Sequence, residues 1–522
     1  MSLHTLLVTI IMLCERCHEN QVSYIISVSS DSSTKEIRVC EDCASLDMDQ
    51  GIQYTRRGTV HRECPQCHFE YYQSTPANED SYEELPLMGC PKCYSEFREE
   101  LMPTLRRIHG SVKHRGKVQT AKNRDQRAKG KKTHALKSMP YAPFAKAEWM
   151  QGSGPDRDVI ISTRVRLARN VSGHAFCGQA QEAELKQIAA TAENALVDMS
   201  GYTGSPLKNA SIIRLSNLDP IELEFLVERH LISRDLAEKN ASGEVIVGEK
   251  EVVSIMLNEE DHIRLQVINP GSQLTQSWEM VSAIDDELAR RVDYAFSNDW
   301  GYLTACPTNV GTGLRISVMF HIPALAATRE GNRILSSISD MGYAVRGMYG
   351  EGSQAIGAFY QISNETTLGQ SEVEIIERIR SVARQLVDRE REERRILIEK
   401  NGIELEDKIL RSYGILVNAR LISSREALDL LSWVSLGVNT GILPEKCDAP
   451  VRRDSQSTKI IKAQKARRDG DPEKERIRGR IAQLLVLIRP AHLQKYEGRK
   501  LDTVARDIAR AAVMRALIKD DA

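Results

Sequence analysis

The sequence predicts an α+β protein that begins with tandem zinc ribbons of four cysteines each and ends in a helical C-terminal region. Three observations carry this expectation. Eight of the eleven cysteines fall within the first 93 residues, as four C-x-x-C pairs. From Trp149 the composition becomes globular, and short β-branched runs share the chain with a long amphipathic period over 372–399, the mixture an α+β domain requires. From about residue 402 the periodicity is helical.

The cysteine pairs are Cys14/Cys17, Cys40/Cys43, Cys64/Cys67 and Cys90/Cys93, with 22 residues between the first and second pair and again between the third and fourth. The equal spacing marks a repeated module. Two knuckles supply the four thiolates of a tetrahedral Zn2+ site, so two structural zinc sites are expected. A crossed arrangement of knuckles satisfies the same count. A disulfide framework would need an oxidising compartment, and the opening run Leu6–Leu13 lacks the charged flank and small-residue cleavage site of a secretion signal. Translation is expected to start at Met12, and the protein to be cytoplasmic. No apolar run reaches the ~20 residues of a membrane helix. The module spans 12–110 and closes on Leu101–Gly110, a short helix stopped by glycine.

A chain of 522 residues holds about three domains at ~150 residues each. Its formal net charge of −1 argues against a nucleic-acid binder. The charge is uneven: residues 113–137 carry ten Lys or Arg against one acid. The basic stretch 111–139 is poor in apolar residues and reads as a flexible linker. A catalytic domain is expected over 149–400 and a helical domain over 401–522, interrupted by a polar insertion at 444–476.

Within the middle region, Ser162–Asn170 sets Arg164 and Arg166 on one face of an extended segment. Val252–Leu257 and Ile263–Ile268 read as two strands joined by the acidic string Asn258-Glu-Glu-Asp-His262. Cys306-Pro-Thr-Asn-Val-Gly-Thr-Gly-Leu-Arg315 joins a thiol, two glycines and an arginine, and feeds a strand over 315–322. Gly311 and Gly313 would let the main chain come close to a ligand. Arg164, Arg166, Arg264 and Arg315, with Arg346 further on, suit the oxygens of a triphosphate. The acidic string supplies carboxylates for a cation or a proton, and phosphoryl transfer needs little more. The P-loop pattern G-x-x-x-x-G-K-[ST] is absent. Each arginine taken alone reads equally well as a surface or salt-bridge residue.

Ser162-Thr-Arg-Val-Arg166, Asn258-Glu-Glu-Asp-His-Ile-Arg264 and Cys306–Arg315 resemble, in order and spacing, the signatures of the phosphagen (guanidino) kinase superfamily. Val345-Arg-Gly-Met-Tyr-Gly-Glu-Gly-Ser353 resembles its bacterial protein-arginine kinase branch, and the cysteine module resembles that kinase's activator. The resemblance implies a catalytic domain built on a curved antiparallel sheet. It implies ATP as phosphoryl donor, Mg2+ held chiefly by ATP oxygens, and phosphate binding by Arg164, Arg166, Arg264 and Arg315. His230 would contact adenine; a core histidine is the competing reading. Glu260 would align the substrate guanidinium and act as general base, with Cys306 beside it. Where the family has a second glutamate this chain has Gln354, which can accept a hydrogen bond but cannot take a proton; Glu351 is an alternative. Arg506, Asp507, Arg510 and Ala511 resemble a phosphoarginine-binding motif, the two arginines forking a phosphate from one helix face. A solvated helix face is the alternative. The implied partners are proteins with exposed arginines, a Clp-type chaperone or protease, and a second copy of the chain in a dimer. No specific nucleic acid and no membrane are implied. The rival functions are a small-molecule guanidino kinase and a non-catalytic zinc-ribbon scaffold.

Overall fold

The computed structural model describes residues 24–30, 33–39, 60–72, 86–119, 137–138, 147–200, 205–239, 241–347, 355–443 and 472–519. A nine-stranded sheet runs in the order Tyr343–Gly347, Phe359–Asn364, Leu314–His321, Ile160–Arg169, Ile263–Pro270, Val253–Leu257, Glu244–Val247, Ser211–Arg214, Lys137–Ser138. Neighbours are antiparallel except the last pair, which is parallel.

Alternation decides which face each residue takes. On the central strand Ile160–Arg169, Val165 and Leu167 are fully buried in the main hydrophobic core. There they meet Ile188 and Leu196 of helix Glu182–Ser200, Val281 and Ile284 of Leu274–Ala289, and Ile375 and Ile379 of Glu372–Asn418. Burying each such side chain contributes about 1.5–3 kcal/mol. A one-residue slip would swap them for Arg164 and Arg166, so the register is strongly fixed. These three helices cover one face, and the arginines stand on the other, where different helices pack on Val245 and Met256 towards one edge and on Met319 and Phe359 towards the other.

Helix Glu372–Asn418 starts at a capping box, in which the Ser371 hydroxyl accepts from Glu374 N while the Glu374 carboxylate accepts from Ser371 N. It kinks at Asn401, and its second half leaves the sheet. Ile398, Leu405 and Ile409 build a second core with Leu428 and Leu431 of Ser424–Thr440, Leu484 and Leu485 of Pro472–Leu487, and Met514 of Thr503–Lys519. Among the described residues no helix is long and apolar enough to cross a membrane.

In the zinc module, strands Val60–Glu63 and Glu70–Tyr72 form a hairpin whose connection carries Cys64 and Cys67. Helices Pro91–Glu96 and Arg98–His109 follow, the second ending at Gly110 in the left-handed conformation, φ 67°. Tyr94, Phe97, Leu101 and Leu105 share one apolar cluster with Phe176, Trp300, Leu303, Ala305 and Val310 of the kinase portion. The module therefore completes its core on the catalytic domain. The sequence starts the linker at 111, yet residues 111–119 remain packed on that domain. His114 N donates to Asp299 O (2.7 Å), Lys117 N donates to the Glu372 carboxylate (3.0 Å), and Lys117 Nζ pairs with Asp286 (2.8 Å). Acceptors matched to this basic stretch hold it in place.

Candidate active site

Strand pairing gathers the four arginines. Arg166 lies directly opposite Arg315, and Arg264 opposite Ala168, two positions along from Arg166 on the same face. Arg164, Arg166, Arg264 and Arg315 thus share one face across three adjacent strands, each half-buried. Arg164 donates to two neutral oxygens, Ser317 Oγ (3.1 Å) and Gln361 Oε1 (3.0 Å). Arg166 Nε is buried without a hydrogen bond. Among the described residues neither Arg164 nor Arg166 pairs with a carboxylate. Burial first, and then the neighbouring guanidiniums, push Arg164 down to about 10 and Arg166 well below its ordinary value. Crowded cations short of anions favour a bound polyanion, which would relieve their repulsion and raise both pKa values again.

Arg264 differs. Burial opposes its charge, but Glu259, Glu260 and Asp261 raise its pKa, and its Nη1 lies 2.7 Å from the fully buried Glu259. His230 sits at the other end of the floor, in the left-handed region (φ 61°), its ring 5.5 Å from that of Trp149. Burial, then Arg489, Arg164 and Arg166, hold the imidazole neutral. An aromatic pair beside a cationic floor can take a nucleobase.

The acidic string forms the turn between Val253–Leu257 and Ile263–Pro270. Asn258 takes the left-handed conformation there (φ 58°), and its Nδ2 donates to Leu185 O and Ser242 O. The three carboxylates then part company. Glu259 pairs with Arg264. Asp261 is buried and accepts from Asn170 Nδ2 (2.6 Å) and Ala305 N (2.7 Å). Glu260 faces the Cys306 loop, accepting from Asn309 Nδ2 (3.0 Å), with Arg264 at 3.5 Å. Burial, with Asp261, pushes Glu260 up to about 7.

Cys306 hydrogen-bonds with Thr308 Oγ1 (2.9 Å). Burial, then the Glu260 charge, raises its thiol to about 11. The neighbouring charge is an anion, so the thiol stays protonated. Glu260 and Cys306 oppose each other's ionisation, and a cation set between them would favour both anions at once. The loop glycines also differ from expectation. A Cβ on Gly311 (φ 109°) would lie 2.4 Å from Thr367 O, and one on Gly313 (φ 63°) 2.6 Å from Ala168 O. They let the loop pack on its own protein rather than on a ligand.

Asn309, Asp261 and Asn170 all lie inside the segments the sequence marks, but no local pattern assigns them these contacts. Gln354, Glu351 and the cysteines Cys14, Cys17, Cys40 and Cys43 lie outside the described residues. At the C-terminus, Arg506 is half-buried and donates to Thr503 Oγ1 (3.1 Å). Arg510 is buried: its Nε donates to Ile488 O (2.9 Å), its Nη1 to Ile422 O (2.9 Å), and it pairs with Asp507. Ala511 is buried beside it. The two arginines therefore do not form an open fork; Arg510 ties helices together, and Arg506 and Asp507 hold the accessible positions.

Cys64, Cys67, Cys90 and Cys93 bring their Sγ atoms within 4.8 Å of one another. The separations Cys64–Cys90 (3.7 Å), Cys67–Cys93 (3.5 Å) and Cys90–Cys93 (3.8 Å) match the ~3.8 Å edge of a tetrahedron with ~2.3 Å Zn–S bonds. The third and fourth knuckles thus form one complete ligand set that fits zinc.

The chain is similar to known proteins over most of its length. The family described as "ATP:guanido phosphotransferase, C-terminal catalytic domain" matches residues 192–393. "Protein-arginine kinase McsB C-terminal domain" matches 402–466 and 473–522, and "McsA central zinc-finger domain" matches 62–116. A protein-arginine kinase from Halothermothrix orenii is 42% identical over 369 residues, covering 71% of this chain and 95% of that protein. One from Geobacillus thermodenitrificans is 42% identical over 375 residues, covering 72% and 94%. Among solved structures, a lombricine kinase is 21% identical, with a TM-score of 0.46 over 58% of this chain and 80% of that one.

Proposed function

The chain belongs to the protein-arginine kinase family and carries a McsA-type zinc-finger domain on the same polypeptide; from that premise we propose that it transfers the γ-phosphoryl group of ATP to arginine side chains of protein substrates, with Glu260 as general base. The observation that carries this reading is the meeting of Glu260 and Cys306 beside a floor of four arginines, since two groups that both gain from a cation then adjoin a site that gains from a polyanion.

In this reading Arg164, Arg166, Arg264 and Arg315 hold the phosphates and His230, against Trp149, meets the adenine. The substrate guanidinium lies between Glu260 and Cys306. A guanidinium nitrogen forms the new N–P bond as the bond from the γ-phosphorus to the β–γ bridging oxygen breaks, and the displaced N–H proton passes to Glu260. Asn309 aims the Glu260 carboxylate. The thiolate of Cys306 stabilises the substrate cation, which requires substrate to lower its pKa first. Mg2+ would be held mainly by ATP oxygens, because Glu259 and Asp261 already satisfy Arg264, Asn170 and Ala305 N. Gln354 would accept a guanidinium N–H without taking a proton.

Zinc would be held by Cys64, Cys67, Cys90 and Cys93, where it supplies structure rather than chemistry; a second site on Cys14, Cys17, Cys40 and Cys43 belongs to the same proposal. Arg506 and Asp507 would present the phosphoarginine site, with Arg510 and Ala511 forming its support. A cytoplasmic location, a dimer and delivery of marked proteins to a Clp-type protease complete the proposal on resemblance alone. The test is mass spectrometry of an unfolded protein incubated with the full chain and Mg-ATP. Acid-labile phosphate on arginine is expected; phosphate on free arginine alone would make the chain a small-molecule guanidino kinase, and no ATP turnover would make it a scaffold.

A further inference from the structure

The loop that carries Cys306 is gripped from outside the catalytic domain. Three carbonyls that bracket the thiol accept hydrogen bonds from the zinc module. Tyr94 Oη donates to Thr304 O (2.8 Å), Met88 N to Ala305 O (2.7 Å) and His109 Nε2 to Pro307 O (3.0 Å). His109 reaches further: its Nδ1 accepts from Thr367 N (3.3 Å). One donor and one acceptor nitrogen define a neutral imidazole. Thr367 in turn receives Thr312 N at its carbonyl (2.9 Å) and donates from Oγ1 to Val310 O (2.7 Å). The loop thus hangs between His109 and Tyr94 on one side and the acidic turn on the other, where Asp261 accepts from Ala305 N.

The grip is coupled to the metal knuckle. Met88 and Tyr94 enclose the ligands Cys90 and Cys93 within seven residues. The Tyr94 ring also packs edge-on against Trp300 (5.5 Å between centroids), and the Arg98 guanidinium lies 4.9 Å from the centre of the Trp300 ring. Among the described residues, the zinc module makes no hydrogen bond or ion pair with Arg164, Arg166 or Arg264 of the arginine floor.

We propose that Tyr94 and His109 are positioning residues for phosphoryl transfer, fixing the Cys306 loop against Glu260 so that the zinc knuckle holds the thiol in its working place. The proposal rests on the kinase reading above and adds where the zinc module acts: on the substrate side of the site, not on the nucleotide. A misplacement of about 1 Å at a reacting centre can cost up to a hundredfold in rate, so hydrogen bonds that never touch substrate can still govern turnover.

The test uses the full chain with Tyr94→Phe, which keeps the ring on Trp300 and removes only the hydroxyl, and with His109→Ala and His109→Gln. Each of Tyr94→Phe and His109→Ala should lower kcat about five- to tenfold while the KM for ATP stays within about twofold and bound zinc is unchanged. Glutamine at 109, which can donate and accept, should recover most of the loss. Alkylation of Cys306 by iodoacetamide without nucleotide should change by at least about threefold in Tyr94→Phe and His109→Ala, a readout that survives even if arginine transfer were absent. Unchanged kcat with unchanged labelling would overturn the proposal. So would a fall in kcat accompanied by zinc loss or by a matching rise in the ATP KM.

Discussion

Two faces of one strand use arginine in opposite ways. Arg169, at the end of Ile160–Arg169, is fully buried on the helix side, where its Nε and Nη2 each lie 2.9 Å from an oxygen of Asp285. Its guanidinium is 3.5 Å from the centre of the Tyr302 ring, and Nη1 donates to Ala168 O and Thr312 O. Burial opposes the charge, but Asp285 raises its pKa above the ordinary value. Three residues earlier, Arg166 faces the other way among three guanidiniums, and its pKa falls. The protein completes the charge of one and leaves that of the other to a ligand. Residue type is the same; what differs is whether a carboxylate was supplied within the fold.

The largest effect should come from removing the base that serves the unfinished face. Glu260→Gln keeps the size of the side chain and its acceptor for Asn309 Nδ2, but cannot take a proton. Transfer should fall by about two to four orders of magnitude while ATP affinity holds, as read by single-turnover kinetics and nucleotide titration. Retention of more than about a tenth of the rate would assign the proton to another group.

Next comes the comparison itself. Arg169→Ala leaves the buried Asp285 carboxylate with only Lys117 Nζ, 3.8 Å away, as a cation and should cost about 3–5 kcal/mol of stability, seen as a lowered denaturation midpoint. Arg166→Ala removes a cation from a repulsive cluster and should leave that midpoint unchanged or raised, while weakening ATP binding strongly. If Arg166→Ala unfolds the protein as readily as Arg169→Ala, the two faces are not distinct.

Part of this division was legible in the sequence. Arg164 and Arg166 share a parity, and Arg169 has the other, so alternation alone separates them once the strand is recognised. The strands around Asn258–His262, the strand after Cys306 and the C-x-x-C knuckles were equally legible, because each is a local pattern. What was not legible depends on distant partners. The contact of Tyr94 with Thr304 spans 210 residues and that of His109 with Pro307 spans 198. Helical spacing put Arg506 and Arg510 on one face, but which neighbours bury that face is a tertiary fact, and Ile422 and Ile488 claim Arg510. The string Glu259-Glu260-Asp261 announced carboxylates without saying which one is left for chemistry. Nor does the sequence show that the charge acting on Cys306 is that of Glu260, which comes from another strand connection.

Removing zinc should have a smaller effect than losing the base. The knuckles have little core without metal, so chelation should release the Cys306 loop and reduce turnover to about the level of the Tyr94→Phe and His109→Ala variants. ATP binding on the arginine floor should persist. Loss of ATP binding on chelation would join the two regions into one unit.

The smallest effect is a pH dependence, and it bears on the same contrast between finished and unfinished charge. Glu260 ordinarily ionises near 4.5, and burial beside Asp261 carries it to about 7. The carboxylate is the active form, so kcat/KM, which reports the free enzyme, should rise with pH, reach half its plateau near 7 and fall about tenfold per unit below that. Stability runs the opposite way. Between the ordinary value and about 7 the folded chain holds a proton that the unfolded chain has lost, so this group's contribution weakens as pH rises through that window. Glu260→Gln should flatten that part of the stability profile. A bound guanidinium lowers the pKa again, so the midpoint of kcat, which reports the substrate complex, should lie below the midpoint of kcat/KM. Equal midpoints would mean that no cation reaches Glu260 in the complex, and a kcat/KM flat from about pH 6 to 8 would mean that Glu260 does not carry the proton.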